Sequence, residues 1–187
     1  MNPLWIILGV VAVLVLYLIS IYNRMVSLRN NRENAFADID VQLKQRHDLI
    51  PQLVATVKGY ADHEKELLLK VTEARKQAIA ATDINGKIAA EATLGAAMTG
   101  FNMQMEAYPD LKANQNFMQL QEELSDIENK LAAVRRYFNS ATKELNNGVQ
   151  KFPNNILAGM FGFKEEPYFD LGTEQRVQMD KPPEIKF

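Results

Sequence analysis

"DIDVQLKQRHDLIPQLVATVKGYADHE", Asp38 to Glu64, has the apolar spacing of an amphipathic helix and a proline in its middle. Pro51 brings no N–H to the carbonyl of His47, and its ring crowds that turn; inside a helix such a defect costs about 3 kcal/mol. The fold depends on whether the helix stops here or is carried through. Phe36, Leu43, Ile50, Val57, Val71 and Ala78 are all multiples of seven apart, with Glu64 the exception. A second line, Ile39, Leu53, Tyr60, Leu67 and Ala74, keeps the same period and is interrupted at Arg46. This is the pattern of a helix packed along its length. The phase is unchanged across Pro51, and a loop has no reason to preserve phase. One helix, bent at Pro51, is therefore expected over about residues 24–82, with the His47 carbonyl left to water or a side chain.

Upstream, "LWIILGVVAVLVLYLISIY", Leu4 to Tyr22, carries no charge. At about 1.5 Å per residue it spans roughly 28 Å, the thickness of a hydrocarbon layer. Trp5 and Tyr22 stand at its two ends, where amphipathic rings favour the headgroup level. A cleaved signal peptide would carry a basic segment before the apolar run and a small-x-small site after it, and neither is present. Residues 1–23 therefore read as a retained membrane anchor. Arg24, Arg29 and Arg32 follow before the first acid, Glu33. The positive-inside rule then expects a single pass with the N-terminus outside and the C-terminal part cytoplasmic.

Downstream, "ATDINGKIAAEATLGAAMTGFNMQMEAYPDL" predicts a turn at Asn85-Gly86. A helix over about 87–107 follows, with Leu94, Met98, Phe101 and Met105 on one face, and it ends before Pro109. A third long helix, about 112–148, carries Phe117, Leu120, Leu124, Ile127, Leu131, Val134, Phe138, Ala141 and Leu145, with Gly148 and Pro153 as stop signals. "FPNNILAGMFGF" suggests a short helix over about 154–161, and the polar stretch 170–187 reads as disordered. No stretch shows sustained period-two alternation. The expected fold is all-α: an N-terminal transmembrane helix, then an antiparallel helical bundle over 24–169.

The composition of the 187 residues, 47% hydrophobic and 24% charged, excludes wholesale disorder. A net charge of −2 argues against a nucleic-acid partner. The absence of cysteine removes disulfides, thiolate metal sites and cysteine nucleophiles.

Three blocks, "YNRMVSLRNNRENAFADIDVQLKQRHDLIPQLVATVKGYADHE", "YPDLKANQNFMQLQEEL" and "FPNNILAGMFGF" followed by "YF", resemble in order and spacing the signature blocks of the LemA family of bacterial membrane proteins. With the N-terminal span, the resemblance covers Leu4 to Phe169. It implies an anchored bundle of long antiparallel helices in the bacterial cytoplasmic (inner) membrane, N-terminus outside. It implies no catalytic residue and no cofactor. The family commonly has tryptophan where this chain has Phe36; either ring fills a core position.

The residues capable of chemistry are few. His63-Glu64 begins like a zinc-protease motif but lacks the second histidine one turn on, and His47 is too distant to share a ligand face. Both histidines are expected on helix surfaces, and no metal site is expected. Asp38, Asp40 and Asp48, with Glu33, read as a solvated face rather than as paired acid–base groups. Arg46 is the anomaly, a charge in an apolar seam. Either it meets a carboxylate of the third helix, such as Glu123 or Glu128, and with Ile50 and Pro51 helps to set the register, or its stem packs while the guanidinium reaches water. Val41, Leu49 and Leu69 are apolar positions left over from the seams and candidate lateral contacts. Ile156, Leu157, Met160, Phe161 and Phe163 suit a bundle cap, a subunit contact or a membrane interface.

Two functions fit these features. One is a non-enzymatic scaffold, bound to membrane lipid and self-assembled into a homo-oligomer that organises or remodels the membrane. The other is an adaptor that regulates a second membrane protein, such as a protease or signalling protein. An enzyme with a small-molecule substrate is disfavoured, because no constellation for converging polar groups is present.

Overall fold

The computed structural model describes residues 3–60 and 64–169; Ala61, His63 and the polar tail over 170–187 lie outside the described residues. Among the described residues the elements are six helices: α1 Pro3–Lys58, α2 Lys65–Ala80, α3 Ile84–Met105, α4 Pro109–Lys112, α5 Gln115–Gln150 and α6 Asn154–Phe161. The fold is all-α, headed by an apolar helix. Among the described residues α1 is the one helix long and apolar enough to cross a membrane.

α1 runs through Pro51 without interruption. The carbonyl that the proline leaves open, His47 O, accepts a hydrogen bond from Nε of Arg75 at 2.6 Å. The donor comes from α2, which corrects the expectation of one helix over 24–82. α1 ends at Lys58, and α2 starts again at Lys65. The seven-residue phase survives this break because the two helices pack face to face. Ile50, Leu53 and Val57 of α1 share one core with Leu68, Val71, Ala74 and Ala78 of α2. Folding back lets the two apolar stripes bury each other, worth about 1.5–3 kcal/mol per large side chain. Tyr60, expected in the seam, is exposed beside Gly59.

The chain divides into two compact units, residues 1–39 with 133–168, and residues 40–132 with the stretch from 169. A single bundle over 24–169 was the expectation, and α1 and α5 contribute to both units instead. In the unit 40–132, the later turns of α1, then α2, α3 and the first half of α5 alternate in direction around a core that includes Leu94, Phe101, Met105, Leu111, Phe117 and Leu124. Its turns are tied by side chains. Asp83 accepts from the N–H of Gly86 at 2.9 Å and caps α3, so Asn85-Gly86 lies in the first turn of that helix rather than in a turn before it. Glu64 accepts from Gln104 and Tyr108, both at 2.9 Å. Asn114 accepts from the N–H of Phe117 at 3.0 Å and donates to the Tyr60 hydroxyl at 2.9 Å.

In the other unit, α6 and the last turns of α5 pack on α1 around Ile21, Met25, Leu145, Leu157, Ala158 and Phe163. Phe36 meets Phe138 edge-on, ring centroids 5.6 Å apart. Gly148 is not the stop expected of it, because α5 continues to Gln150. A Cβ at 148 would stand 2.8 Å from Cδ1 of Leu28 and 3.3 Å from Sδ of Met25, so the glycine is what lets α5 approach α1 closely. The left-handed Gly162 (φ 73°) ends α6, and the N–H of Phe163 donates to the Ala158 carbonyl at 2.9 Å.

Candidate functional site

Arg46 stands in the α1 seam and is buried. Its Nε lies 3.0 Å from Oε1 of Glu128 on α5, one of the partners expected for it. Its Nη1 lies 3.2 Å from Oε2 of Glu91 on α3. Glu123, the other expected partner, accepts from Gln119 instead. The guanidinium is enclosed rather than extended to water. Glu91 is only 4% exposed, although its helix is rich in small apolar residues and reads as having one wet acid. Its other oxygen, Oε1, lies 2.5 Å from Nε2 of His47. His47, expected on the surface, is buried because this partner draws it inward.

The cluster therefore satisfies each buried charge with an opposite or hydrogen-bonding neighbour, which a buried ion must have to avoid a penalty of several kcal/mol. A cleft of about 320 Å³ opens beside it, lined by Asp40, Leu43, Lys44, His47, Asp48, Ala78, Ile79, Lys87 and Glu91. Lys87 and Asp40 form an ion pair there. Glu33, Asp38 and Asp48 are exposed. Among the described residues no three His, Asp or Glu side chains gather at metal-ligand spacing. The arrangement can fix the register of α1 against α3 and α5. Each carboxylate oxygen of Glu91 has a partner in it, Arg46 for one and His47 for the other.

Arg32, which follows the span together with Arg24 and Arg29, is buried and knots the other unit together. Its Nε donates to the Thr142 hydroxyl at 3.2 Å, and Nη2 donates to the Pro167 carbonyl at 3.3 Å. Nη2 also lies 3.6 Å from the Glu166 carboxylate, and the guanidinium sits 4.9 Å from the centre of the Phe138 ring. Burial pulls the Arg32 guanidinium below its ordinary value, against the opposing influence of Glu166 and Glu33. The segment after α6 is secured further by Asn146. Its amide donates to the Glu166 carbonyl and accepts from the Glu166 N–H, each at 2.9 Å.

The remaining anticipated residues lie on surfaces. Trp5 and Tyr22 are exposed, as are Arg24 and Arg29, the last with its guanidinium 5.3 Å from the centre of the Phe163 ring. Val41 and Leu69 are exposed, whereas Leu49 is half-buried against its own core. Of the C-terminal apolar group, Leu157 and Phe163 are buried within their unit and cannot serve as outward contacts. Ile156, Met160 and Phe161 are exposed, and Phe152 joins them. Phe161 and Phe163 approach the Tyr22 ring edge-on, with centroids 4.9 and 6.0 Å away. Glu91, Arg75 and Asn146 are the interacting residues that sequence reasoning missed. The only advance signal was for Arg75, in the open carbonyl at His47.

Residues 35–187 match the sequence profile of the LemA family. The chain is similar to Protein LemA of Metamycoplasma hominis, 26% identical over 159 residues, which cover 84% of this chain and 73% of that protein. It is also similar to the Magnetosome protein MamQ of Magnetospirillum gryphiswaldense, 22% identical over 174 residues, 79% of this chain and 64% of that one. Magnetosome protein MamQ 2 of Paramagnetospirillum magneticum is 23% identical with the same coverage. The chain thus spans a little less than two thirds of the length of the MamQ proteins.

Proposed function

This chain belongs to the LemA family, and from that premise we propose that it is a membrane-anchored, non-enzymatic helical scaffold. In this reading α1 crosses the bacterial cytoplasmic membrane once, N-terminus outside, and copies assemble through the cytoplasmic bundle into a homo-oligomer that organises or remodels the bilayer. The observation that carries it is the continuity of α1. One helix, Pro3–Lys58, supplies both the apolar span and the bundle seam, with the His47 carbonyl that Pro51 leaves open covered by Arg75. An anchor that shares a helix with the folded part suits a load-bearing element better than a tethered catalyst. The buried polar groups support this further: Glu91 is engaged by Arg46 and His47, and Arg32 by Thr142, Pro167 and Glu166. Val41 and Leu69, both outward and apolar, are the lateral contacts to test first.

Full-length protein extracted in mild detergent should show concentration-dependent self-association by mass photometry, weakened by Val41→Glu with Leu69→Glu. Monomers at every concentration would end the scaffold reading. A groove between α1 and α5, about 370 Å³ and lined by Gln45, Asp48, Leu49, Glu123, Asp126, Ile127 and Lys130, favours the adaptor as the second reading. Crosslinking in cells separates the two. Self-crosslinks alone support the scaffold, and one stoichiometric foreign membrane protein at the groove supports the adaptor.

A further inference from the structure

We propose that α6 is an interfacial membrane helix, lying with its outward apolar face in the headgroup–acyl boundary of the bilayer that α1 crosses. The proposal rests on the membrane reading above and extends it to a second lipid contact. Two sides of α6 have different fates. Leu157 and Ala158 face inward and pack with Ile21 and Met25 of α1. Ile156, Gly159 and Met160, spaced as one helical face, point outward and are exposed, and Phe152 and Phe161 flank them. Ile156 is 57% exposed, Met160 73%, Phe161 54% and Phe152 79%, so large apolar side chains stay outward after Leu157 and Ala158 have packed inward, with Asn155 the one exposed polar side chain among them. No charge occurs from Asn154 to Phe161.

The location of this face selects lipid as its occupant. Phe161 stacks edge-on against Tyr22, the ring that closes the apolar run of α1. The inner contacts, Ile21 and Met25, stand within about one helical turn of the same point. The outward face of α6 therefore continues the lipid-facing surface of the span at the depth where aromatic rings favour the interface. Lys151 and Lys164 bracket the segment and are exposed, and Arg24 and Arg29 lie on the adjoining stretch of α1; exposed Glu165 offsets one of these four positive charges. Such a basic rim matches anionic headgroups.

The chain has no cysteine, so single-cysteine labelling is unambiguous. Nitroxides are placed at Met160→Cys, at Val13→Cys in the span and at Lys70→Cys on the exposed side of α2, in full-length protein in vesicles of phosphatidylethanolamine and phosphatidylglycerol. Power saturation then compares collisions with oxygen, which partitions into lipid, and with a water-soluble nickel chelate. The oxygen-to-nickel ratio at 160 is expected to exceed that at 70 several-fold and to approach that at 13. Ile156→Cys repeats the measurement from the next turn should the first label disturb packing. A ratio at 160 and 156 equal to that at 70, with 13 in lipid, overturns the interfacial helix and leaves the anchored scaffold standing. Shielding from both reagents with spin–spin broadening assigns the face to a second copy and overturns lipid as its occupant. An aqueous signal at 13 removes the membrane reading and this proposal together.

Discussion

Nε of Arg75 donates to the main-chain carbonyl of His47 across 2.6 Å, standing in for the N–H that Pro51 cannot provide. The two defects are therefore coupled. Arg75→Met should lower stability by about 1–2 kcal/mol, the cost of leaving a partly buried carbonyl unmade. In a Pro51→Ala background, where the backbone N–H returns, the same change should cost markedly less. Urea unfolding followed by circular dichroism in detergent micelles gives the four values of the cycle. Additivity would refute the substitution of side chain for backbone.

Glu91 is enclosed between Arg46 and His47. Glu91→Ala removes the buried partner of both Arg46 and His47, leaving the guanidinium with the half-exposed Glu128 alone, and should cost about 3–5 kcal/mol. Glu128→Ala, which removes a partner 44% exposed, should cost about 1 kcal/mol or less. Replacing both Arg46 and Glu91 by leucine should recover much of the loss, because the two buried charges leave together and Glu128, 44% exposed, has water in place of Arg46. Thermal unfolding of the three variants beside the unaltered protein checks the order.

At Gly148 the nearest obstacle to a side chain is the tip of Leu28, with Met25 behind it. Gly148→Ala gains helix propensity of roughly 1 kcal/mol but asks that the tip of Leu28 turn aside and that the Met25 sulfur give slightly, so the two effects should nearly cancel. Gly148→Leu has nowhere to go and should cost about 1–3 kcal/mol by overpacking. Equal melting temperatures for the two variants would show that α5 does not need the close approach.

The Tyr108 phenol donates to Glu64, and that hydrogen bond, with the nearby carboxylate charge and some burial, raises its pKa above the ordinary tyrosine value. The fold favours the protonated phenol. Its contribution is accordingly complete below the ordinary value and fades as pH climbs through the raised one. Ultraviolet titration should resolve one tyrosine ionising later than the rest. Glu64→Gln should move that step downward, and an unchanged titration would discount the contact.

The sequence made α1 legible through Pro51, and the third long helix too, because periodic apolar positions fix which side of a helix is covered. Periodicity says nothing about connectivity. The phase from Val57 to Val71 continues across the break between α1 and α2 just as it does across Pro51, since both helices face the same core. Gly59 was the local clue. Glu91 was illegible for a related reason: one acid in an Ala-, Gly- and Met-rich helix looks solvated until Arg46 and His47 are placed opposite it. Arg32 follows an apolar span like any headgroup cation, and only the return of residues 166 and 167 reveals its other use. Glu128 was foreseen because a charge in a seam demands a partner from a facing helix.

The grip of Asn146 on both main-chain atoms of Glu166 resembles the way a sheet edge captures a guest peptide. Arg32 adds a second hold on the backbone at Pro167, while the side chains of Lys164, Glu165 and Tyr168 face outward. The path of this strap is therefore prescribed and its lettering is not. Exchanges at those three outward positions should pass unnoticed by the fold. Asn146→Asp, which sets a carboxylate oxygen against the Glu166 carbonyl, should loosen the strap while leaving the helices beneath it intact.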